Sequence, residues 1–404
     1  MNGYRCVACN IEQGADFAGF LCPTCGGNLE ITYDYAAVEP AFGPGEGMFR
    51  YESLLPCPDP GPTLPLKVGG TPLYRAQRLG AAAGLENVWL KDETGNPSAS
   101  IKDRASAVAL LRAVATGAEA VAVASTGNAG SSTACLAAAM GLRAVVFVPE
   151  SAPAAKLTQS LAYGARVLAV RGSYDDAYDL CLRACEERGW FNRSTGFNPF
   201  TREGKKTSSF EVWEQLRQVP DRVIVPTGDG NILSGVWKGW RDLHAAGLID
   251  RLPRIDCVQS TGSAAICRAV DRGRAGGSAP DWRQVDIESV AAHTVADSIS
   301  VDDPRDGLAA VRAVIESGGE AVTVADDEIL AAIGELACTT GVFAEPAAAA
   351  PWAAAKQLAA NGRIGNDESV VLLITGSGLK DVAAIPVGEP VLVDADHASV
   401  SAAL

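Results

Sequence analysis

Short apolar runs rich in valine alternate with alanine-rich stretches of helical spacing from about residue 88 onward. Residues 88–90 read as the end of a strand. Turn residues Gly95, Asn96 and Pro97 follow, and Ser98 and Ser100 are expected caps for a helix that begins near Ile101. The pattern then predicts a helix over 105–115, a strand over 120–124, a polar loop over 125–130 and a helix over 131–140. A strand over 144–148, a helix from about 154, a strand over 166–169 and a helix over 174–188 complete this half. Strands at 222–226 and 370–374 each run into a glycine-containing turn. Continuous apolar strands separated by helices imply parallel sheets covered on both faces, an α/β doubly wound architecture. The uncharged run 120–142 is long enough for a membrane span, but Ser125, Thr126, Gly127, Asn128, Gly130, Ser131, Ser132 and Thr133 break it into strand, loop and helix. No membrane partner is expected.

With 404 residues, the chain has room for two lobes and a small extra module, and a mean hydropathy of +0.10 indicates a sizeable core. The net charge of −14 argues against nucleic acid, whose non-specific affinity comes from clustered cations. Only His244, His293 and His397 occur, none in a motif, so histidine-based catalysis has little to build on. The first ten residues lack the apolar core of a signal peptide. Of eleven cysteines, four are grouped and seven scattered, which fits a reducing, cytoplasmic compartment.

The grouped four are Cys6, Cys9, Cys22 and Cys25, two C-x-x-C knuckles. One knuckle alone would leave a redox pair or an iron site open; two together favour a structural Zn²⁺. Residues 1–45 are therefore expected to form a zinc ribbon held by its metal, because the segment is too short to bury a core of its own. Residues 41–70, rich in proline and glycine, are expected to wrap an edge of the body.

Lys102 falls in the first turn of its expected helix, where the dipole disfavours a cation and eases deprotonation, as a Schiff-base lysine requires. A surface lysine on an amphipathic helix fits the local sequence equally well. The loop 125–130, between a strand end and a helix start, offers N–H groups to an anion, or serves only as a cap. The turn 227–232 offers the same. Its next glycine is Gly235, so the G-x-G-x-x-G spacing of a dinucleotide site is not met.

The segment NPSASIKDR, residues 96–104, resembles the N-P-x-x-S-x-K-D-R stretch of the threonine synthase branch of fold-type II pyridoxal-phosphate (PLP) enzymes. Further segments resemble the family in order: Gly69–Leu73, the Ser125–Asn128 loop, FNPFTREGKKTSSFEV at 197–212, the Glu345-Pro346-Ala347 segment, and TGSGLKD at 375–381. The resemblance implies a two-lobed fold like that of the tryptophan synthase β subunit, with a large PLP-binding lobe (46–95 and 197–404), a small mobile lobe (96–196) and the ribbon. It implies that Lys102 carries PLP, that Asn128 bonds the ring hydroxyl, and that Ser125, Thr126, Gly127 and Asn128 receive the substrate carboxylate. Gly228, Asp229, Gly230, Asn231 and Ile232 would hold the cofactor phosphate, with the Asp229 carboxylate turned away. Thr375 would meet the pyridine nitrogen, with Ser377 in reserve. A hydroxyl there does not force that nitrogen to be protonated, which suits elimination and replacement better than racemisation.

One departure concerns the substrate. Where the family has an arginine for the substrate phosphate, this chain has Thr201, leaving Arg202, Lys205 or Lys206 as candidate cations and Arg305 as a second anion ligand. The expected activity is conversion of O-phosphohomoserine and water to threonine and phosphate by a cytoplasmic homodimer acting on a small phosphorylated amino acid. The alternatives are β-replacement on O-phosphoserine or a related activated serine (cysteate synthase-like or a specialised biosynthetic variant), and then threonine or serine dehydration. Outside PLP chemistry, a nicotinamide enzyme or a nucleic-acid-binding zinc module remain, and both require a colourless protein.

Overall fold

The computed structural model describes residues 1–38, 42–57, 60–275, 281–386 and 388–404. The strand Asn87–Asp92 lies in a six-stranded sheet in the order Ala321–Val324, Arg254–Ser260, Arg222–Pro226, Ser369–Ile374, Asn87–Asp92, Leu73–Arg75. Every pairing is parallel except the last. A second sheet of four parallel strands runs Arg166–Val170, Arg143–Pro149, Ala120–Ala124, Phe191–Asn192. All residues of Ala120–Ala124 and Ser369–Ile374 are buried, as strands covered on both faces must be. The doubly wound expectation holds, and among the described residues no helix is long and apolar enough to cross a membrane.

The helix Lys102–Ala115 is buried almost all round, which explains why it shows so little amphipathic pattern. Its start differs from the sequence reading. Ile101 is the N-cap, and Ser98 donates its hydroxyl and its N–H to Asp103 in the first turn, each at 2.6 Å. The serine thus serves the acid rather than the helix N–H groups, and among the described residues Ser100 Oγ has no partner.

The third sheet is the antiparallel ribbon Glu12–Gly14, Gly3–Cys6, Leu29–Thr32. It is docked by aromatic packing, Phe20 on Phe191 with ring centres 5.3 Å apart, and through polar contacts. Tyr33 Oη donates to Glu203 at 2.6 Å, Tyr35 Oη to Asp242 at 2.7 Å, and Asn28 Nδ2 to Asp306 Oδ1 at 2.8 Å. The segment expected along an edge instead packs on a helix. The short helix Met48–Leu54 buries Met48, Phe49, Tyr51 and Leu54, and the Tyr51 ring lies 5.3 Å from that of Phe210 on helix Thr207–Leu216. Residues 39–41, at the expected end of the ribbon, and 58 and 59, within the wrapping segment, lie outside the described residues.

Candidate active site and metal centre

A cavity of about 410 Å³ opens at the carboxyl ends of strands Ala120–Ala124 and Arg222–Pro226, the place where parallel α/β sheets bind ligands. Its walls include Lys102, Ser125, Thr126, Gly127, Asn128 and Asp229. Thr195, Ser298 and Arg305 also line it. A second cavity of about 560 Å³ separates the ribbon from helix Asn231–Ala245. Its cations are already closed by acids, Arg241 by Glu30 at 3.0 Å and Lys238 by Asp242 at 2.9 Å, so its charge is spent on holding the ribbon.

Lys102 stands in the first turn of its helix, as its sequence position suggested, and its pKa is lowered. Removal from water is the main cause; Asp229 opposes it and Arg193 adds to it. Nearby, Asn128 Nδ2 donates to both oxygens of Glu345, at 2.9 and 3.0 Å. Glu345 occupies the N-cap position of helix Pro346–Ala360 without capping it, and burial raises its pKa. Thr375 is buried beside this group, and its carbonyl accepts from Ile101 N–H at 2.9 Å.

The expected carboxylate loop is only half open. Ser125 N–H is taken by Phe147 O at 3.1 Å, and Gly127 N–H by Ser125 Oγ at 3.2 Å. Among the described residues, Thr126 and Asn128 keep N–H groups without a protein acceptor.

The turn before helix Asn231–Ala245 is more open. Among the described residues the N–H groups of Gly228, Asp229, Gly230 and Ile232 have no protein acceptor. Gly230 has φ +93° and a Cβ there would lie 2.7 Å from Asp306 O, so that position requires glycine, while a Cβ on Gly228 would sit tightly, 3.0 Å from Ile299 and Val301. Four converging N–H groups at the start of a 15-residue helix suit a phosphate. The Asp229 carboxylate, expected to point away, instead accepts from Asn231 N–H at 3.1 Å and is within electrostatic reach of Lys102 and Lys205. A local turn of the side chain onto the N–H two residues on explains this orientation.

The substrate cations chosen from sequence fare differently. Arg202 is buried in an ion pair with Asp306, and it also donates to Ser234 Oγ at 3.1 Å and to Leu29 O at 3.2 Å. Lys206 is enclosed by Glu203 at 2.5 Å and Asp242 at 2.7 Å. Neither lines the cavity, which corrects their assignment as anion ligands: their charges are consumed where the ribbon meets the body. Thr201 Oγ1 donates to Asn198 O at 2.8 Å. Arg305 does reach the rim, tied to Asp175 and Asp303, each at 3.3 Å. The middle member of the triplet behaves otherwise. Lys205 Nζ donates to Asn231 Oδ1 at 2.5 Å, beside the phosphate-like turn. Sequence reasoning missed Arg193, Thr195 and Ser298; Arg193 is wholly buried behind Lys102, and its Nη2 donates to Lys102 O at 3.4 Å.

The residues suit PLP. A lysine of lowered pKa and Asp229 of the turn with four open N–H groups line one cavity, and the segment before Lys102 is bonded through Ile101 N–H to the buried Thr375. The cysteines suit a metal. All four sulfurs lie within 4.8 Å of one another, with Cys6–Cys25 and Cys9–Cys25 at 3.5 Å and Cys9–Cys22 at 3.7 Å. A tetrahedron with about 2.3 Å metal–sulfur bonds has edges of about 3.8 Å.

Comparison with known proteins agrees with this geometry. Residues 64–376 match the family model of pyridoxal-phosphate dependent enzymes. The chain is 38% identical to threonine synthase of Methanocaldococcus jannaschii over 97% of this chain and 96% of that one. It is 34% identical to threonine synthase of Mycobacterium tuberculosis over 85% and 92%. Among solved structures, threonine deaminase isoform 2 of Solanum lycopersicum superposes with a TM-score of 0.66 at 21% identity, covering 78% of this chain and 85% of that one. Maize serine racemase gives 0.64 at 21%, covering 76% and 88%. At such identities these two speak for the fold alone. With a near full-length match to the curated relatives and a cavity lined by Lys102 and the Ser125–Asn128 loop, the chain belongs to the threonine synthase family of pyridoxal-phosphate dependent enzymes.

Proposed function

We propose that this enzyme converts O-phosphohomoserine and water to threonine and phosphate, a carbon–oxygen lyase reaction on a phosphate ester. The observation that carries the proposal is one cavity lined both by Lys102, of lowered pKa, and by Asp229 of the turn Gly228–Ile232, in which four N–H groups are open among the described residues. Bound PLP supplies the electron sink that makes Cα and Cβ protons labile. Lys102 holds the cofactor and then, as a free amine, takes and returns those protons. Gly228, Asp229, Gly230, Asn231 and Ile232 would hold the cofactor phosphate, Thr375 would meet the pyridine nitrogen, and Asn128, held by Glu345, would meet the ring hydroxyl. Thr126 and Asn128 N–H groups take the substrate carboxylate, and Ser125 shapes their loop.

Thr201 favours a second reading, β-replacement on O-phosphoserine, because the side chain at that position carries no charge to fix the longer substrate. Incubation of the holoenzyme with each phosphate ester, with products identified by mass, separates the two. Threonine and phosphate from O-phosphohomoserine support the first reading, while turnover of O-phosphoserine alone removes it.

Zinc fills the Cys6, Cys9, Cys22 and Cys25 site, the enzyme works as a cytoplasmic homodimer, and residues 96–196 move as a small lobe against 46–95 and 197–404. The four-stranded sheet lies wholly within 96–196, which supports that division. Metal analysis is expected to give about one zinc per chain. Because Asn28 and Leu29 reach Asp306 and Arg202, chelation is expected to weaken PLP retention as well as to loosen the ribbon. Full PLP retention in metal-free protein would count against that coupling.

A further inference from the structure

Buried cations in this chain normally touch a carboxylate. Lys91, Arg104, Arg202, Lys206, Arg222 and Lys238 are each almost inaccessible, and each lies within 3.0 Å of an acidic oxygen. Arg193 and Lys205 break that rule. Both have zero exposure, and among the described residues neither forms an ion pair. Arg193 is held by neutral oxygens only: Ser106 Oγ at 3.0 Å, Thr195 Oγ1 at 2.9 Å and Lys102 O at 3.4 Å. Lys205 is held by Asn231 Oδ1.

Both lie one layer behind the cavity. Thr195 and Lys102, which Arg193 grips, line the cavity; Asn231, which Lys205 grips, opens the helix at the phosphate-like turn. Asp229 acts on both cations and on Lys102, while Asp103 acts on Arg193 and Asp306 on Lys205, but among the described residues none of these acids pairs with either cation. A protein that buries charge without a partner bears a large desolvation cost unless a ligand supplies the counter-charge. The burden also shows in the pKa values. Burial lowers that of Arg193 to about 10, and burial together with the neighbouring Lys102 lowers that of Lys205 well below the ordinary lysine value.

The geometry points to Arg193 and Lys205 as the positive half of a phosphomonoester site, compensating a phosphate dianion in the cavity from behind the wall. It rests on the reading of this cavity as the place where a phosphorylated amino acid meets PLP. Where the dianion is the substrate's, it also accounts for the departure at Thr201: the missing charge comes from eight residues earlier and four later. Two sources of the dianion are open, the cofactor's own phosphate and that of a second ligand, and both present the same chemistry.

The test uses Arg193→Gln and Lys205→Met, with Arg193→Lys as the charge-preserving control, each checked for fold by circular dichroism. In one arm PLP and pyridoxal, which lacks the phosphate, are titrated into apoenzyme, with cofactor absorbance as readout. In the other, inorganic phosphate is titrated into holoenzyme by calorimetry, and L-homoserine by absorbance. The proposal expects about a tenfold or greater loss of affinity for the phosphorylated probe of at least one arm, a change under twofold for its unphosphorylated counterpart, and partial recovery in Arg193→Lys. Loss in the PLP arm identifies the cofactor as source, and loss in the phosphate arm a second anion. If both phosphorylated probes stay within twofold in Lys205→Met, or if pyridoxal and homoserine weaken equally, the proposal is overturned, whether or not Arg193→Gln folds. Failure of wild-type enzyme to make threonine would sink the activity reading but leave these binding results standing.

Discussion

Lys102 and Arg104 stand two residues apart on one helix and meet opposite surroundings. Arg104 has no exposure and donates to Glu93 at 2.6 and 2.9 Å and to Glu211 at 2.7 Å through two nitrogens, while Lys91 closes on Glu211 at 2.7 Å. Two cations and two carboxylates there exhaust one another, and Thr71 and Thr207 fill the remaining directions. Around Lys102 the inventory of charge is similar but nothing touches. Lys102, Arg193, Lys205 and Lys380 are in no ion pair among the described residues, and neither are Asp103, Asp229 and Glu345. Closed pairs fix the helix against the body, whereas open charges can answer a ligand. The contrast separates scaffold from site without reference to any motif.

The sharpest way to probe the contrast is to delete one member on each side. Lys102→Ala should reduce turnover at least about a thousandfold and abolish the borohydride-sensitive absorbance of lysine-bound cofactor. Its stability, measured by denaturant melts of apoenzyme, should change by less than about 1 kcal/mol, because no partner is left uncompensated. Retained turnover would falsify the role of Lys102.

Arg104→Met should do the reverse. Glu93 and Glu211 would keep their charge in a dry interior, costing about 3–5 kcal/mol. The same melts measure it, and a loss under about 1 kcal/mol would mean that the network is not what holds this helix. Arg104 helps keep Glu211 well below the ordinary carboxylate range, with Lys91 adding to the effect. That acid therefore contributes stability above its unfolded pKa, which is lost as pH falls through the depressed value. Acid melts of the wild type should reflect this, and those of Arg104→Met should lose most of it.

How much of this was legible beforehand follows from which signals are local. Strands such as Ala120–Ala124, the knuckles of Cys6, Cys9, Cys22 and Cys25, and the helix start at Lys102 all announce themselves within a few residues, through periodicity or spacing. The fate of Arg202 does not. Its partner Asp306 is 104 positions away, and its further acceptor, Leu29 O, sits on the ribbon. Composition around 202 is identical whether the guanidinium faces a cavity or a carboxylate, so the triplet Arg202, Lys205, Lys206 could not be sorted by sequence. Arg193 was missed for the same reason; its contacts with Ser106 and Lys102 span 87 and 91 positions. The orientation of Asp229 was the avoidable error, since an aspartate two residues before a helix-start N–H commonly turns back onto it.

The smallest effect is also the most direct measure of an open charge. Lys205 has its pKa pushed down by burial and by Lys102, so the folded apoenzyme holds fewer protons than the unfolded chain between that lowered value and the ordinary lysine value of about 10.5. Stability therefore rises with pH across this window, and the penalty from Lys205 is greatest below its folded pKa and vanishes above the unfolded one. Lys205→Met removes the penalty. Apoenzyme carrying it should be more stable than wild type at pH 7 by about 1 kcal/mol, the gap shrinking towards zero by about pH 10.5. Saturating phosphate should reverse the order at pH 7, because the dianion supplies a counter-charge that only the lysine can pair with. A variant less stable than wild type at pH 7 without ligand, or a gap that ignores pH, would place Lys205 with Arg104 among the scaffold charges and leave Arg193 alone behind the cavity.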